Sequence, residues 1–196
     1  MTPTLRPATP DDAPAVRRIY APFVEDTAIS FETRPPTRAE VESRIATTTE
    51  RHPWLVCALD EIVGYAYATS HREREAYRWS VDVSVYVDPA HHRRGIARAL
   101  YAALFALLKK QGLFNAYAGI ALPNPASIGF HESMGFEPVG TYHAVGHKDG
   151  EWHDVRWYER ALDERPADPE VPIAFPDLEA PTIERALDAG ASLLED

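Results

Sequence analysis

The segment Val83–Ala97 constrains the fold of this chain more than any other part of the sequence. Its first half alternates valine with serine or tyrosine, which is typical of a strand, and Ile96 begins an apolar pattern with helical spacing. Arg93, Arg94 and Gly95 lie between the two halves. The start of a helix offers unpaired backbone N–H groups and a positive dipole end, and glycine lets the backbone approach an anion closely. The segment therefore predicts a seat for a phosphorylated ligand, with an ordinary strand-turn-helix as the alternative.

Motif, charge and cysteine content argue against several classes of protein. The loop has neither the turn of a P-loop nor the three glycines of a dinucleotide fingerprint, which predicts against nucleotide hydrolysis and NAD binding. The formal charge is −10, and residues 163–196 hold 10 acidic and 2 basic side chains, so nucleic acid is not an expected partner. The sequence has no run of about 18 uncharged apolar residues. The one cysteine, Cys57, lies in an apolar segment. We expect no membrane partner, a cytoplasmic location and a buried, inert thiol.

The other patterns predict one α+β domain with a mixed sheet flanked by helices. Thr9–Asp12 and Thr37–Glu40 each place a capping hydroxyl ahead of acidic residues, which predicts the starts of two helices before the sheet. Gly112 ends the helix that begins at Ile96. We assign residues 1–162 to the domain and residues 163–196 to an acidic, proline-containing tail that is extended, with 182–194 as a candidate helix. Strands are predicted at 4–6, 54–60, 62–69, 81–87, 116–122, 139–145 and 155–162, and a short helix at 126–134.

The order of elements and the turn His92-Arg93-Arg94-Gly95-Ile96-Ala97 resemble the GNAT superfamily of N-acetyltransferases. The resemblance implies a mostly antiparallel sheet and acetyl-CoA as co-substrate, with its pyrophosphate at the helix start. His92 stands where the superfamily has Gln or Arg, which weakens one donor. The cofactor-binding residues that the resemblance implies are Val85, Tyr86, Val87, Arg93, Arg94, Gly95, Ile96, Ala97, Arg98, Asn124 and Ser127.

Five dispersed segments narrow the resemblance to the phosphinothricin and methionine sulfoximine N-acetyltransferases. These segments are Glu50–Val56, Ala76–Trp79, Val85–Val87, Leu122–Pro125 and Trp152–Val155. The resemblance spans roughly residues 4–162 and implies acetylation of the α-amino group of phosphinothricin, methionine sulfoximine or methionine sulfone. It also implies a homodimer.

The same resemblance implies two catalytic residues. Asp82 stands where the family has a glutamate as proposed base, three residues before the Val-Tyr-Val run. Its shorter side chain implies transfer through a water molecule or a role as local charge only, with a surface aspartate as the alternative. His131 matches a histidine with an assigned catalytic role, and its alternative is a packing residue on an amphipathic helix.

Substrate binding is expected in the loop 71–77 and at one aromatic position. Arg72, Arg74 and Tyr77 match positions that bind the anionic end of the substrate, and guanidinium groups suit a carboxylate or phosphinate. A solvated loop of alternating charge is the alternative. Phe31 matches an aromatic residue of the substrate pocket, although it would also suit an ordinary core.

Two other functions stay open at this point. Acetylation of another small amine or of a peptide N-terminus would favour an acidic groove rather than an arginine-bearing loop. A non-enzymatic acyl-CoA sensor would explain the departures at Asp82 and His92. His143, His147 and His153 do not have convincing metal spacing, so no metal is expected.

Overall fold

The computed structural model describes residues 3–194 as a seven-stranded sheet with helices on both faces. In chain order the elements are β1 (Thr4–Pro7), α1 (Ala13–Glu25), α2 (Arg38–Thr49), β2 (Trp54–Ala58), β3 (Ile62–Ser70), β4 (Ser80–Val87), α3 (Ile96–Gln111), β5 (Asn115–Ala121), α4 (Pro125–Ser133), β6 (Glu137–Lys148), β7 (Glu151–Ala161) and α5 (Ala180–Ala191). The sheet order is β1-β2-β3-β4-β5-β7-β6, and only the β4–β5 pair is parallel. The predicted mixed, mostly antiparallel sheet is confirmed.

Local sequence signals explain where these elements begin and end. The hydroxyl of Thr37 accepts from the backbone N–H of Glu40, whose carboxylate accepts in return from Thr37 N–H, so α2 starts with a complete capping box. The last hairpin is longer than predicted, because Asp149 and Gly150 both adopt positive φ (53° and 86°). This two-residue turn matches strand twist and extends the pairing of β6 with β7 to Lys148 and Glu151.

β4 and β5 separate after a short stretch of pairing. Their parallel register covers Ser80, Val81 and Asp82 opposite Asn115–Tyr117. Beyond that point β4 pairs only with β3, and β5 only with β7. The separation opens a gap in the middle of the sheet, which the sequence patterns did not predict.

Two apolar clusters hold the helices against the sheet. One lies between the sheet and α3 with α5, and the other lies between the sheet and α1 with α2. Cys57 belongs to the first cluster, where burial raises the pKa of its thiol to about 11, in agreement with an inert thiol. Within residues 3–194, no helix combines the length and apolar character that crossing a membrane requires.

The segment after Leu162 packs against the domain. Phe175, Leu178 and Ala186 are buried in the same cluster as α3. The expected helix is present, but it begins at Ala180 and ends at Ala191. Glu179 is its N-cap residue without a side-chain cap, and Pro181 lies in the first turn, where proline is tolerated. Residues 163–179 are irregular apart from one turn at Phe175–Asp177. The expectation of a helix within an otherwise extended tail therefore agrees with α5, and the boundary at residue 162 stays a prediction.

Candidate active site

A cavity of about 490 Å³ lies between the ends of β4, the start of α3 and the start of α4. Residues of β4 that border the gap line this cavity, and a smaller pocket between β4 and β5 continues from it into the gap. Most of the sequence-predicted cofactor residues line this cavity: Val85, Tyr86, Val87, Arg93, Gly95, Ile96, Ala97, Arg98, Asn124 and Ser127. The fold thus brings together residues that are up to 42 positions apart in the sequence.

The loop before α3 has the backbone shape that an anion seat needs. Arg93 and Gly95 have positive φ values of 63° and 77°, and Gly95 is the N-cap of α3. A Cβ at Gly95 would lie 3.0 Å from the Leu193 carbonyl oxygen, so the position is restricted both by φ and by space. The free N–H groups of a 16-residue helix point toward the cavity end of this loop. These features fit a bound pyrophosphate.

Arg94 and His92 differ from the other basic residues of this loop in where their side chains lie. Arg94 does not line the large cavity, and instead lies at a small cleft with Leu59, Ile96 and Leu194. His92 does line it, but its Nε2 lies 3.0 Å from the Val87 carbonyl oxygen and donates to it. That hydrogen bond holds the loop against the end of β4 and removes one donor from the anion seat. Arg93 and Arg98 remain as the cationic side chains at the cavity.

His131 is held in one form by two hydrogen bonds. Its Nδ1–H donates to the Ser127 carbonyl oxygen at 2.8 Å, so Nε2 accepts from the Tyr101 hydroxyl at 3.1 Å. Burial lowers the pKa of His131, and the bond to Ser127 only partly opposes this effect. The side chain is therefore neutral at neutral pH and borders both the cavity and the gap.

Asp82 lies near the start of β4, away from the β4 end that leads to α3. It is the last residue of β4 that pairs with β5. One of its carboxylate oxygens is 2.6 Å from Nδ1 of His71. Burial raises the pKa of Asp82, while the hydrogen bond and the charge of His71 oppose the increase. The carboxylate is thus a partly buried group with one imidazole partner.

Some of the predicted substrate residues gather beside Asp82. The Arg72 guanidinium lies 5.9 Å from the centre of the Trp157 ring, and the Tyr77 ring meets the His71 ring edge-on at 6.0 Å. Arg74 is exposed and has no hydrogen bond or ion pair from its guanidinium within residues 3–194. Arg72 and Tyr77 therefore lie beside the His71–Asp82 pair, and the predicted role of Arg74 in substrate binding stays a prediction.

Phe31 lies on the loop after α1, over the last hairpin. Its ring packs directly onto Gly146, where a Cβ would overlap it, and lies 6.1 Å from the His153 ring. The buried Lys148 fixes this loop, since its ammonium donates to the carbonyl oxygens of Val24, Thr27 and Ser30 at 2.6 to 2.8 Å. Phe31, the predicted aromatic residue of the substrate pocket, is thus 38% exposed and packs against the last hairpin.

Comparison with known proteins identifies the family. The family model for the acetyltransferase (GNAT) domain matches residues 5–157. The chain is 42% identical over 163 residues to a phosphinothricin N-acetyltransferase of Streptomyces coelicolor, covering 81% of this chain and 95% of the relative. The chain belongs to the GNAT acetyltransferase family. This confirms the resemblance seen in the sequence.

A second relative and a solved structure agree with this family assignment. A methionine sulfoximine/methionine sulfone acetyltransferase of Salmonella typhimurium is 34% identical over 169 residues, covering 84% of this chain and 97% of the relative. The crystal structure of a phosphinothricin acetyltransferase from Sinorhizobium meliloti in complex with acetyl-CoA has a TM-score of 0.82 and 34% identity, and the match covers 90% of this chain and 97% of that one. The protein is an acetyl-CoA-dependent acyltransferase.

Sequence reasoning missed four aromatic or imidazole residues of this acetyltransferase site. They are His71, Tyr101, Tyr117 and Trp157. The first, second and fourth contact the predicted residues Asp82, His131 and Arg72, and Tyr117 stacks on His71. A signal existed only for His71, which begins the loop 71–77; the others have the spacing of core residues. Among residues 3–194 there is no group of three or more His, Cys, Asp or Glu side chains that could hold a metal.

Proposed function

We propose that this acetyltransferase transfers the acetyl group of acetyl-CoA to the α-amino group of a small amino-acid analogue of the phosphinothricin or methionine sulfone type. One observation carries the proposal: both charged groups lie beside His71, since the Asp82 carboxylate bonds to its Nδ1 and the Arg72 guanidinium donates to its carbonyl oxygen and lies over Trp157. A carboxylate suits the ammonium end of such a substrate, and a guanidinium suits its carboxylate or phosphinate end. The names of the relatives from Streptomyces coelicolor and Salmonella typhimurium support the same substrate class.

The separated strands are the proposed binding place for the thioester arm. Bound acetyl-CoA supplies an activated acetyl group as a thioester. Residues 83–87 of β4 and 118–121 of β5 border the gap, and their facing edges have no partner strand within residues 3–194. Backbone N–H groups along these edges are available to orient an extended ligand and to stabilise negative charge on the thioester oxygen. The start of α3, with Arg93 and Arg98, is the proposed seat of the pyrophosphate.

We assign proton removal from the substrate ammonium to Asp82 and the groups beside it. An amine must lose a proton before it can attack a thioester, and a carboxylate there favours that loss. The proposal also includes a catalytic role for His131, which is limited by the hydrogen bonds of its ring. Because both of its ring nitrogens are hydrogen bonded, it would act through the Tyr101 hydroxyl and not as a free base.

The acceptor class is tested by measuring thiol release from acetyl-CoA with five amines. Phosphinothricin and methionine sulfone should be turned over with the highest kcat/KM, ahead of glutamate, spermidine and a peptide with a free N-terminus. A higher kcat/KM for spermidine or the peptide would refute the proposed acceptor. Turnover of none of the five amines, with acetyl-CoA bound, would also refute this acceptor class.

The substrate end of the proposal is tested with Arg72→Ala. Loss of a charge-assisted hydrogen bond costs about 1.5–3 kcal/mol, so KM for phosphinothricin should rise about 10- to 100-fold while kcat changes little. KM for a neutral amine should not rise comparably. Arg38→Ala is the matched control, because Arg38 is an exposed residue of α2 that pairs with Glu42. Equal KM increases for anionic and neutral amines would contradict the assignment of Arg72.

The location and assembly stay predictions. A cytoplasmic location and a homodimer are expected from the sequence and its family, and size-exclusion chromatography with light scattering would test the dimer.

A further inference from the structure

The family resemblance assigns no role to His71, and in the structure this residue is the hydrogen-bond partner of Asp82. It follows the end of β3, where its backbone N–H donates to the Ser80 carbonyl oxygen at 3.2 Å. Thr69 pairs directly with Asp82 across the β3–β4 ladder, so His71 and Asp82 are diagonal neighbours on one face of the sheet. The His71 ring stacks on Tyr117 of β5 at 4.4 Å with an interplanar angle of 24°. Strand register and stacking therefore fix the ring beside the carboxylate.

The hydrogen bond between the two residues decides which nitrogen of His71 is basic. Nδ1 lies 2.6 Å from a carboxylate oxygen of Asp82, which can only accept when it is ionised, so Nδ1 carries the hydrogen. Nε2 then holds a lone pair, and it has no hydrogen-bond partner within residues 3–194. The side chain of His71 is 14% exposed, so the ring is shielded but not fully closed off from solvent. An imidazole held by a carboxylate in this way is oriented as a general base.

We propose that His71 takes the proton from the substrate ammonium through Nε2, and that Asp82 orients the ring and stabilises the imidazolium. The inference rests on the proposed function, because it assumes an amino-acid-like acceptor. Asp82 alone is one methylene shorter than glutamate, and one of its oxygens already accepts from His71. The imidazole extends the reach of the carboxylate by the width of a ring. Asp82 is a positioning residue in this scheme, and His71 is the catalytic one.

The proton and bond changes balance without a further reactant. Nε2 removes one proton from the ammonium, and the free amine attacks the carbonyl carbon of the thioester. The C–S bond breaks as the C–N bond becomes an amide, and the second proton lost by nitrogen passes to the departing thiolate. His71 then returns its proton to water. The products are the acetylated amine, CoA thiol and one proton.

The scheme predicts a pH dependence, because imidazole is the side chain whose charge changes between about pH 5 and 8. Only the neutral ring can accept a proton, so kcat/KM should fall as pH decreases. The groups that also bear on this pair are a guanidinium, several phenols and two more distant charged groups: Arg72, Tyr67, Tyr77, Tyr117, Glu159 and Arg165. None of these groups hydrogen bonds to Nδ1 of His71 within residues 3–194. Burial raises the pKa of Tyr67 and of Tyr117, which keeps both phenols neutral across this range.

The deciding experiment compares His71→Asn with wild type for phosphinothricin over pH 5–9, at saturating acetyl-CoA. Asparagine can still donate to Asp82 but has no Nε2, so kcat/KM should fall about 10²- to 10⁴-fold, with loss of the acidic limb of the profile. In His71→Ala, added imidazole should restore turnover in a saturable manner. The matched control is His143→Asn, since His143 also meets a carboxylate through Nδ1, at 2.9 Å from Asp154, but is exposed on the last hairpin. The control should stay within about twofold of wild type.

The outcomes separate this inference from the proposed function. Wild-type turnover of phosphinothricin or methionine sulfone supports the function, whatever the variants do; no turnover of either refutes the function and the inference with it. With an active wild type, a loss below about threefold in His71→Asn would overturn the role of His71. A large loss that imidazole does not relieve in His71→Ala, while acetyl-CoA affinity and melting temperature match wild type, would overturn it as well. Asp82→Asn should lower kcat and not raise KM, as expected for a positioning residue.

Discussion

Gly190 sits at the closest approach between α5 and α3, and Gly190→Ala tests how tightly the C-terminal helix is packed. A Cβ at this position would lie 2.6 Å from the Ala99 carbonyl oxygen, 2.8 Å from the Ala103 Cβ and 2.9 Å from a Leu5 methyl carbon. All three distances are shorter than normal contacts between heavy atoms. The Ala99 oxygen belongs to the backbone of α3, so it cannot move aside unless one of the two helices shifts.

Two effects of opposite sign set the size of the change. Overpacking by one methyl group costs about 1–3 kcal/mol, and replacing glycine by alanine inside a helix gains at most about 1 kcal/mol. Gly190 lies in the last turn of α5, where the gain from helix propensity is small. We therefore expect Gly190→Ala to lower the free energy of unfolding by about 1–2 kcal/mol. For a chain of this length that corresponds to a decrease in melting temperature of about 2–8 °C.

Gly129 supplies the matched control for this measurement. It lies inside α4, and a Cβ there would meet nothing within 4 Å. Gly129→Ala should therefore raise the free energy of unfolding by up to about 1 kcal/mol. Urea denaturation of both variants, with equal m-values, checks the pair. Gly190→Ala with wild-type or higher stability would refute the close packing of α5 on α3.

Two further predictions concern buried ionisable side chains. Lys148→Met should lower the free energy of unfolding by about 2–4 kcal/mol in urea denaturation, because three backbone carbonyls lose a charged donor; a change below about 1 kcal/mol would contradict this role. His52 has its pKa lowered to about 4, first by burial and then by the charge of Arg51, so the unfolded chain binds its proton first as pH falls. Stability should decrease from about pH 6.5 down to about pH 4, with about 2 kcal/mol lost by pH 5, and His52→Asn should flatten that dependence.

The order of strands and helices could be predicted from the sequence because each signal is local. Alternation in β4, the capping box of α2 and the glycines that flank α3 depend on residues within a few positions of each other. The anion seat is of the same kind, since Arg93, Gly95 and the first turn of α3 are contiguous. The structure departs from the prediction at Arg94, whose side chain lies beside Leu59 and Leu194, both distant in the sequence. The weakened donor expected at His92 is in line with the bond of its Nε2 to the nearby Val87 carbonyl oxygen.

The residue pairs to which the proposed chemistry is assigned could not be predicted, because their partners are distant in the chain. His71 and Asp82 are 11 residues apart, and they meet because strand register makes them diagonal neighbours. Tyr101 and His131 are 30 residues apart, on two different helices. In the sequence Tyr101 is one apolar position among many in α3, and nothing local marks its hydroxyl as the partner of an imidazole. Pair formation is a property of the packed structure and not of either segment.

The C-terminal helix makes contacts with α3 that the composition of this segment does not predict. Its acidic, proline-containing sequence is typical of a solvated tail, yet Gly190 contacts the second turn of α3 and the Leu193 carbonyl oxygen faces Gly95 at the start of that helix. The sheet holds α3 from one side and α5 holds it from the other. Because the anion seat is the first turn of α3, its position depends on both contacts. A shift of α5 should therefore alter acetyl-CoA affinity before it alters the Asp82 side of the gap, where no residue of α5 lies among the contacts of His71 or Asp82 within residues 3–194.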